Sequence, residues 1–254
     1  MSLELTLLGT GGYAPGRGET VRNPAGLAVK AGGEVLLFDL GFGNVRQLAR
    51  AGHACEAVTD VFLSHLHPDH CGDLPALLFL FHGGPYPKPA AKRLRVWGPG
   101  GTKALVSALC RAWDPWLDPK GYALEVRELA DGGEAQGLGW VVEARSVPHT
   151  APALAYRVSR GSASLVYSGD MEYDESFARF AASCDVLVLE ATCDDDDAAP
   201  GHLTVKQALV LSRLAGAGHT VLTHLTDASA ADAERRAKGD PCVTVGRDLL
   251  RRRF

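Results

Sequence analysis

At 254 residues, with 46% hydrophobic and 22% charged residues, the chain has the length and composition of a folded globular protein of one or two domains; extensive disorder and fibrous architectures are excluded. Lysine and arginine number 26 against 30 acids, a net charge of −4, so no general excess of positive charge points to a nucleic acid or an anionic membrane, and a polyanion would need a local site. The unusual entries are 29 glycines and 9 histidines, which are what a metal site built on loops requires.

In chain order, Leu3 to Leu8 reads as a strand that leaves through Gly9-Thr10-Gly11-Gly12, where glycine permits a tight exit. Leu27 to Lys30 and Val35 to Asp39 flank Ala31-Gly32-Gly33-Glu34 and read as a hairpin. Asn44 is placed to cap a helix running to about Ala51, with Gly52 ending it. Val58 to Leu63 is a buried strand, followed by Ser64-His65-Leu66-His67-Pro68-Asp69-His70 and a helix, Leu74 to Phe81, with Asp73 as its N-cap and Pro75 in its first turn. Arg95 to Trp97 is a strand and Thr102 to Trp113 a helix; Leu124 to Glu128, Trp140 to Ser146, Ala153 to Ser159 and Leu165 to Tyr167 are strands. The pattern then alternates: Phe177 to Ala182 helix, Val186 to Glu190 strand, Val205 to Ala215 helix, Val221 to Thr223 strand, Ala228 to Lys238 helix.

A strand-rich first part followed by alternating strands and helices predicts packed sheets with helices outside. No linker interrupts the pattern, so a single domain, residues 1–254, is expected. The acidic tract Asp194 to Asp197 and the terminal Arg251-Arg252-Arg253 read as solvated segments. The six cysteines lack the two-residue spacing of a zinc knuckle and suit a reducing cytoplasm. The start Met1-Ser2-Leu3-Glu4 has neither a basic region nor an apolar run of signal-peptide type, and no segment is long and apolar enough to span a bilayer. Trp113 and Trp116 are read as core or lid packing, Tyr86 as a loop residue, and His53, His82 and His219 as structural or surface residues.

Three histidines and an aspartate within six residues, directly after a buried strand, point to a metal. In an extended stretch His65 and His67 project to one side, and Pro68 holds His67 extended, so that Asp69 and His70 can face a second ion. His149, Asp170 and His224 each sit where a later strand runs out into a loop, and jointly they can complete two sites.

The run His65-Leu66-His67-Pro68-Asp69-His70, with the later donors in order, resembles the metallo-β-lactamase superfamily. Leu8-Gly9-Thr10-Gly11, Arg22-Asn23, Phe38-Asp39-Leu40-Gly41, Gly201-His202-Leu203-Thr204 and Leu222-Thr223-His224 resemble its ribonuclease Z branch. The resemblance implies an α/β fold of αββα sandwich type with a binuclear metal site at one edge. It also implies a division of ligands: His65, His67 and His149 on one ion, Asp69, His70 and His224 on the other, Asp170 between. Two divalent ions, zinc in preference to manganese or iron, would leave about one net positive charge after Asp69, Asp170 and a bridging hydroxide, a site suited to anions and to hydrolysis.

His202 is the candidate for leaving-group protonation, and Asp69 for acid/base duty besides metal binding, by the same resemblance. Glyoxalase II-like thioesterases share the seven ligands, so His202 favours a phosphodiester over a thioester or lactone. Asp170 stands where some β-lactamases of the superfamily have cysteine, which counts against antibiotic degradation. A non-catalytic RNA- or protein-binding scaffold would be expected to have lost ligands, and all seven are here. Only 150–169 separate His149 from Asp170, leaving no extended transfer-RNA-binding arm, and Leu225-Thr226-Asp227 follow His224 in place of aromatic and arginine residues. A small or cyclic phosphodiester therefore competes with RNA as substrate, and the resembling family implies a homodimer.

Overall fold

The computed structural model describes residues 2–13, 21–83, 93–195 and 198–254. Two seven-stranded sheets face each other. The first has the order β14-β1-β2-β3-β4-β5-β6, from β1 (Leu3–Gly9), β2 (Gly26–Ala31), β3 (Glu34–Phe38), β4 (Val58–Phe62), β5 (Arg93–Gly98), β6 (Ala123–Glu128) and β14 (Arg251–Arg253). The second, β13-β12-β11-β10-β9-β8-β7, is built from β7 (Glu134–Gln136), β8 (Val141–Val147), β9 (Ala153–Arg160), β10 (Ala163–Tyr167), β11 (Val186–Glu190), β12 (Thr220–Thr223) and β13 (Val243–Val245).

Each sheet is antiparallel in one half and parallel in the other. β3, β4, β5 and β6 pair in parallel, as do β10, β11, β12 and β13. Parallel neighbours need a crossover, and helices supply it. In the first sheet these are α1 (Asn44–Arg50), α2 (Pro68–Cys71) with α3 (Leu74–Gly83), and α4 (Thr102–Ala112); in the second, α5 (Phe177–Phe180), α6 (Val205–Ala215) and α7 (Asp227–Arg236). Those helices cover the outer faces, so the central parallel strands are buried on both sides: every residue of β4, β10, β11 and β12 is buried, the polar Thr59 and Asp60 of β4 included. In β8 exposure alternates, because its outer face meets water. The expected αββα sandwich is thus present.

The core between the sheets centres on Phe62, stacked on Phe38 at 5.0 Å and met edge-on by Tyr156 at 5.4 Å and Trp140 at 6.1 Å from the second sheet. Separate apolar layers lie under the helices of each sheet. All the parallel strands end at the same edge, where loops leave the sheets and ligand sites of open α/β layers form.

Local expectations differ from the structure at several points. Gly43, in a left-handed conformation, precedes α1, and Asn44 lies inside it; the Asn44 amide donates instead to the carbonyls of Pro24 and Ala25, tying the first loop to the helix. The Asp73 carbonyl accepts from Leu77 at the start of α3, but its carboxylate accepts from Val45 N–H of α1 at 2.7 Å, joining two helix starts. Arg251 to Arg253 are not a loose end: their backbone forms β14 against β1 while the side chains stay exposed, and charged side chains on an edge strand oppose further pairing. β7, β13 and β14, three residues each, were not foreseen, since so short a strand has no period to read. Thr204 caps α6 in a reciprocal capping box with Gln207.

Candidate metal centre

Every predicted donor comes to the carboxyl edge of the sheets. His65 and His67 follow β4; Pro68 opens α2, which carries Asp69 and His70. His67 is held extended before the proline, as expected. From the second sheet, His149 follows β8, Asp170 follows β10 and His224 follows β12. His224 has a φ of 56° and Asp39, at the end of β3, a φ of 58°; both sit in the left-handed region, a strained backbone held by the surrounding structure.

The donors fall into overlapping groups: His65, His67 and His149; His65, His70 and Asp170; Asp69, His70 and His224; Asp170, His202 and His224. Within each group the ligating atoms lie within 4.8 Å of one another. Asp170 Oδ2 is central, 3.2 Å from His70 Nε2, 3.4 Å from His224 Nε2 and 3.7 Å from His65 Nε2. The first three donors form a ring cluster, His65 to His67 at 4.5 Å and His65 to His149 at 4.7 Å.

Four of the five histidines in the predicted ligand set have Nδ1 held by an oxygen. His70 Nδ1 meets Asp39 Oδ2 at 2.8 Å, His224 Nδ1 meets Thr192 Oγ1 at 2.7 Å, His149 Nδ1 meets the Gly201 carbonyl at 2.7 Å and His65 Nδ1 meets Ser64 Oγ at 3.0 Å. A ring that donates from Nδ1 keeps a bare lone pair on Nε2. His70 Nε2 and His224 Nε2 are then only 3.2 Å apart with Asp170 beside both. With both rings neutral their lone pairs would face each other, so the buried site favours a positive charge there, and Asp170 and Asp39 raise the His70 pKa against the effect of burial. Among the described residues, the buried His65 Nε2 and Asp170 Oδ1 find no hydrogen-bond partner. The residues therefore fit a divalent cation, which accepts both kinds of donor.

The titration behaviour has the same cause. Burial pushes His65 far down, with the neighbouring His70 adding to the effect. For Asp170, burial opposes ionisation, but His224, His70 and His65 outweigh it and hold the carboxyl well below the usual range. Asp69 is likewise lowered: burial raises it, while His224 and His70 more than offset that.

The sequence reading missed Glu190, the last residue of β11. It is fully buried. Its Oε1 accepts from Met171 N–H at 2.8 Å, beside Asp170, and lies 3.2 Å from His202 Nδ1; its Oε2 accepts from Thr192 N–H, Thr192 O–H and Leu203 N–H. With Nδ1 engaged by Glu190, His202 keeps Nε2 for proton exchange, and its ring contacts those of His149 and His224, each at 5.4 Å. Burial lowers the His202 pKa, but the hydrogen bond and charge of Glu190, with Asp170, raise it overall. The missed signal was present: Glu190 is a carboxylate at a strand end, as Asp170 nearly is. Asp39, quoted only as part of a motif, accepts from Ser64 N–H, Ser64 O–H and Tyr167 O–H besides His70.

Other expectations resolve away from the site. His53 pairs with Thr6, His82 with the Asp118 carbonyl and His219 with Thr244. Trp113 and Trp116 are not core: they are 49% and 56% exposed, and with Phe79 they line an apolar cleft of about 450 Å³ that contains none of the metal-site residues. Tyr86, Asp196 and Asp197 lie outside the described residues. Among the described residues, no helix is long and apolar enough to cross a membrane.

A sandwich with this histidine and aspartate cluster at its edge defines a hydrolase of the metallo-β-lactamase fold. A family model described as a beta-lactamase superfamily domain matches residues 35–225. A ribonuclease Z of Mycobacterium avium is 31% identical over 92% of this chain and 90% of its own length. Among solved structures, the metallo-beta-lactamase fold protein YhfI from Bacillus subtilis superposes with a TM-score of 0.83 at 22% identity, covering 100% of this chain and 99% of that one. A diphosphatase of the PhnP family gives 0.78 at 19% identity, covering 100% and 98%. The chain belongs to the metallo-β-lactamase superfamily and is ribonuclease Z-like within it.

Proposed function

We propose that the protein is a two-metal phosphodiesterase in which His65, His67 and His149 hold one divalent ion, Asp69, His70 and His224 hold the other, and Asp170 lies between. Zn²⁺ is the first choice for a set of imidazoles and carboxylates. Such a pair of ions activates water near neutral pH and neutralises charge on phosphoryl oxygens. The observation that carries the reading is His202, seated against His149 and His224 and backed by the buried Glu190. In this reading His202 Nε2 gives a proton to the leaving oxygen while Glu190 holds the ring and its charge; such general-acid help contributes about 10²- to 10⁴-fold. Asp69, ionised beside His224, takes a proton from the attacking water.

Three features favour a small or cyclic phosphodiester over precursor transfer RNA. Strands β9 and β10, joined through Gly161 and Ser162, occupy the interval between His149 and Asp170 where an arm would be inserted. After His224 the chain turns directly into α7, capped by Thr226. The net charge is −4. The PhnP-family neighbour is a diphosphatase, while the curated relatives are ribonucleases Z, so both substrate classes belong in the test. The scattered spacing of the six cysteines suits the cytoplasm.

The test compares turnover of the metal-loaded protein on a bis-aryl phosphodiester, cyclic nucleotides, precursor transfer RNA and a thioester. Cleavage of the first two with little on the last two is expected, and faster thioester hydrolysis would contradict the assignment. In the same assay His202→Ala should keep both ions and lose about 10²- to 10⁴-fold in phosphodiester turnover. Full activity in that variant would remove His202 from the mechanism.

A further inference from the structure

Two buried carboxylates flank the candidate centre, and each serves two histidines by the same wiring. Asp39 Oδ2 holds His70 Nδ1 directly and, through the Ser64 hydroxyl at 2.7 Å, reaches His65 Nδ1. Glu190 holds His202 Nδ1 directly and, through the Thr192 hydroxyl at 2.6 Å, reaches His224 Nδ1. Each side of the site thus has one carboxylate, one directly bonded histidine and one histidine reached through a hydroxyl.

The polarity of the second chain follows from its ends. Glu190 receives backbone N–H groups from Met171, Thr192 and Leu203, and an amide can only donate, so the carboxylate is acting as an acceptor on both oxygens. The Thr192 hydroxyl has one proton, and it goes to Glu190 Oε2. Its oxygen can then meet His224 only as an acceptor, which requires the proton on Nδ1 and leaves Nε2 bare toward His70 and Asp170. A direct carboxylate contact would do the same, but Glu190 already has His202 on its other oxygen. The hydroxyl extends one charge to two rings.

We infer that Thr192 is a positioning residue that locks His224 as the Nδ1–H tautomer, Nε2 toward the site, and ties that ring to His202 through Glu190. The inference rests on the proposed ligand set for its bearing on metal. Its core is a proton position in the protein itself. Thr192 is 8% exposed, and valine matches its shape without the hydroxyl, so Thr192→Val deletes the link with little change in packing. Thr192→Ser keeps the hydroxyl.

The test has two arms. Long-range ¹H–¹⁵N spectra of the metal-free protein should show His224 protonated on Nδ1 in the wild type and in Thr192→Ser, and a mixture of tautomers in Thr192→Val. Competition of Zn²⁺ against a chromophoric chelator should show Thr192→Val weakened about 10- to 100-fold for one of two ions, the usual cost of losing a partner behind a ligand, with Thr192→Ser close to wild type. Thr192→Val with an unchanged tautomer and unchanged Zn²⁺ affinity would overturn the inference. Wild type that takes up no Zn²⁺ would instead overturn the ligand reading, and the tautomer spectra would still decide the role of Thr192.

Discussion

The two sheets contribute to the candidate centre in different ways. The first supplies His65, His67, Asp69 and His70 from one loop and one turn of helix between β4 and α3. The second supplies its residues singly: His149 after β8, Asp170 after β10, Glu190 at the end of β11, His202 before α6 and His224 after β12. Local geometry sets the spacing of the first group, whereas only the register of β8 to β12 brings the second together. The first half is therefore a property of a short segment, and the second is a property of the folded sheet.

The sharpest way to break this comparison is Asp170→Ala, because Asp170 faces two histidines of each half: His65 and His70 from the first, His224 and His202 from the second. Elemental analysis should find both ions lost, with phosphodiester turnover at background; one ion retained at full occupancy would mean that the halves bind independently. Next is Asp39→Asn. Three donors converge on Asp39 Oδ2, and an amide N–H placed there would oppose them. A cost of about 3 kcal/mol is expected, which for a chain of this size lowers Tm by roughly 6–12 °C. A shift within 1–2 °C, about 0.5 kcal/mol, would show the Asp39 network to be dispensable. The smallest effect is expected for Gly201→Ala in the second half. Gly201 has a φ of 87°, and a Cβ there would lie 3.0 Å from His149 Nδ1. A loss of about 1–2 kcal/mol with weakened binding of the ion near His149 is predicted, read by thermal melting and metal competition.

The same contrast explains what could be read from the chain. The run His65 to His70 announces a metal site without any fold, because the donors are neighbours and the proline sets their orientation. A strand such as β11 was legible as an apolar run, Val186 to Leu189, since both of its faces are buried. His149, Asp170 and His224 gained meaning only jointly, for each alone is an ordinary strand-end residue, and the division among two ions came from the resemblance. Glu190 and Thr192 stayed out of sight because their roles depend on side chains from three loops meeting across the sheet. Asn44 and Asp73 carry helix-capping side chains in the right places, but partners distant in sequence, Ala25 and Val45, take those side chains for tertiary bonds. The exposure of Trp113 and Trp116 had no sequence signal, since tryptophan is on average a well-buried residue.

The most direct test of the account is metal content measured together with turnover on a bis-aryl phosphodiester, before and after chelation. Two ions per chain are predicted, with activity lost on chelation and restored by Zn²⁺. A protein that binds fewer than two ions after reconstitution, or one that keeps its turnover when stripped of metal, would contradict it.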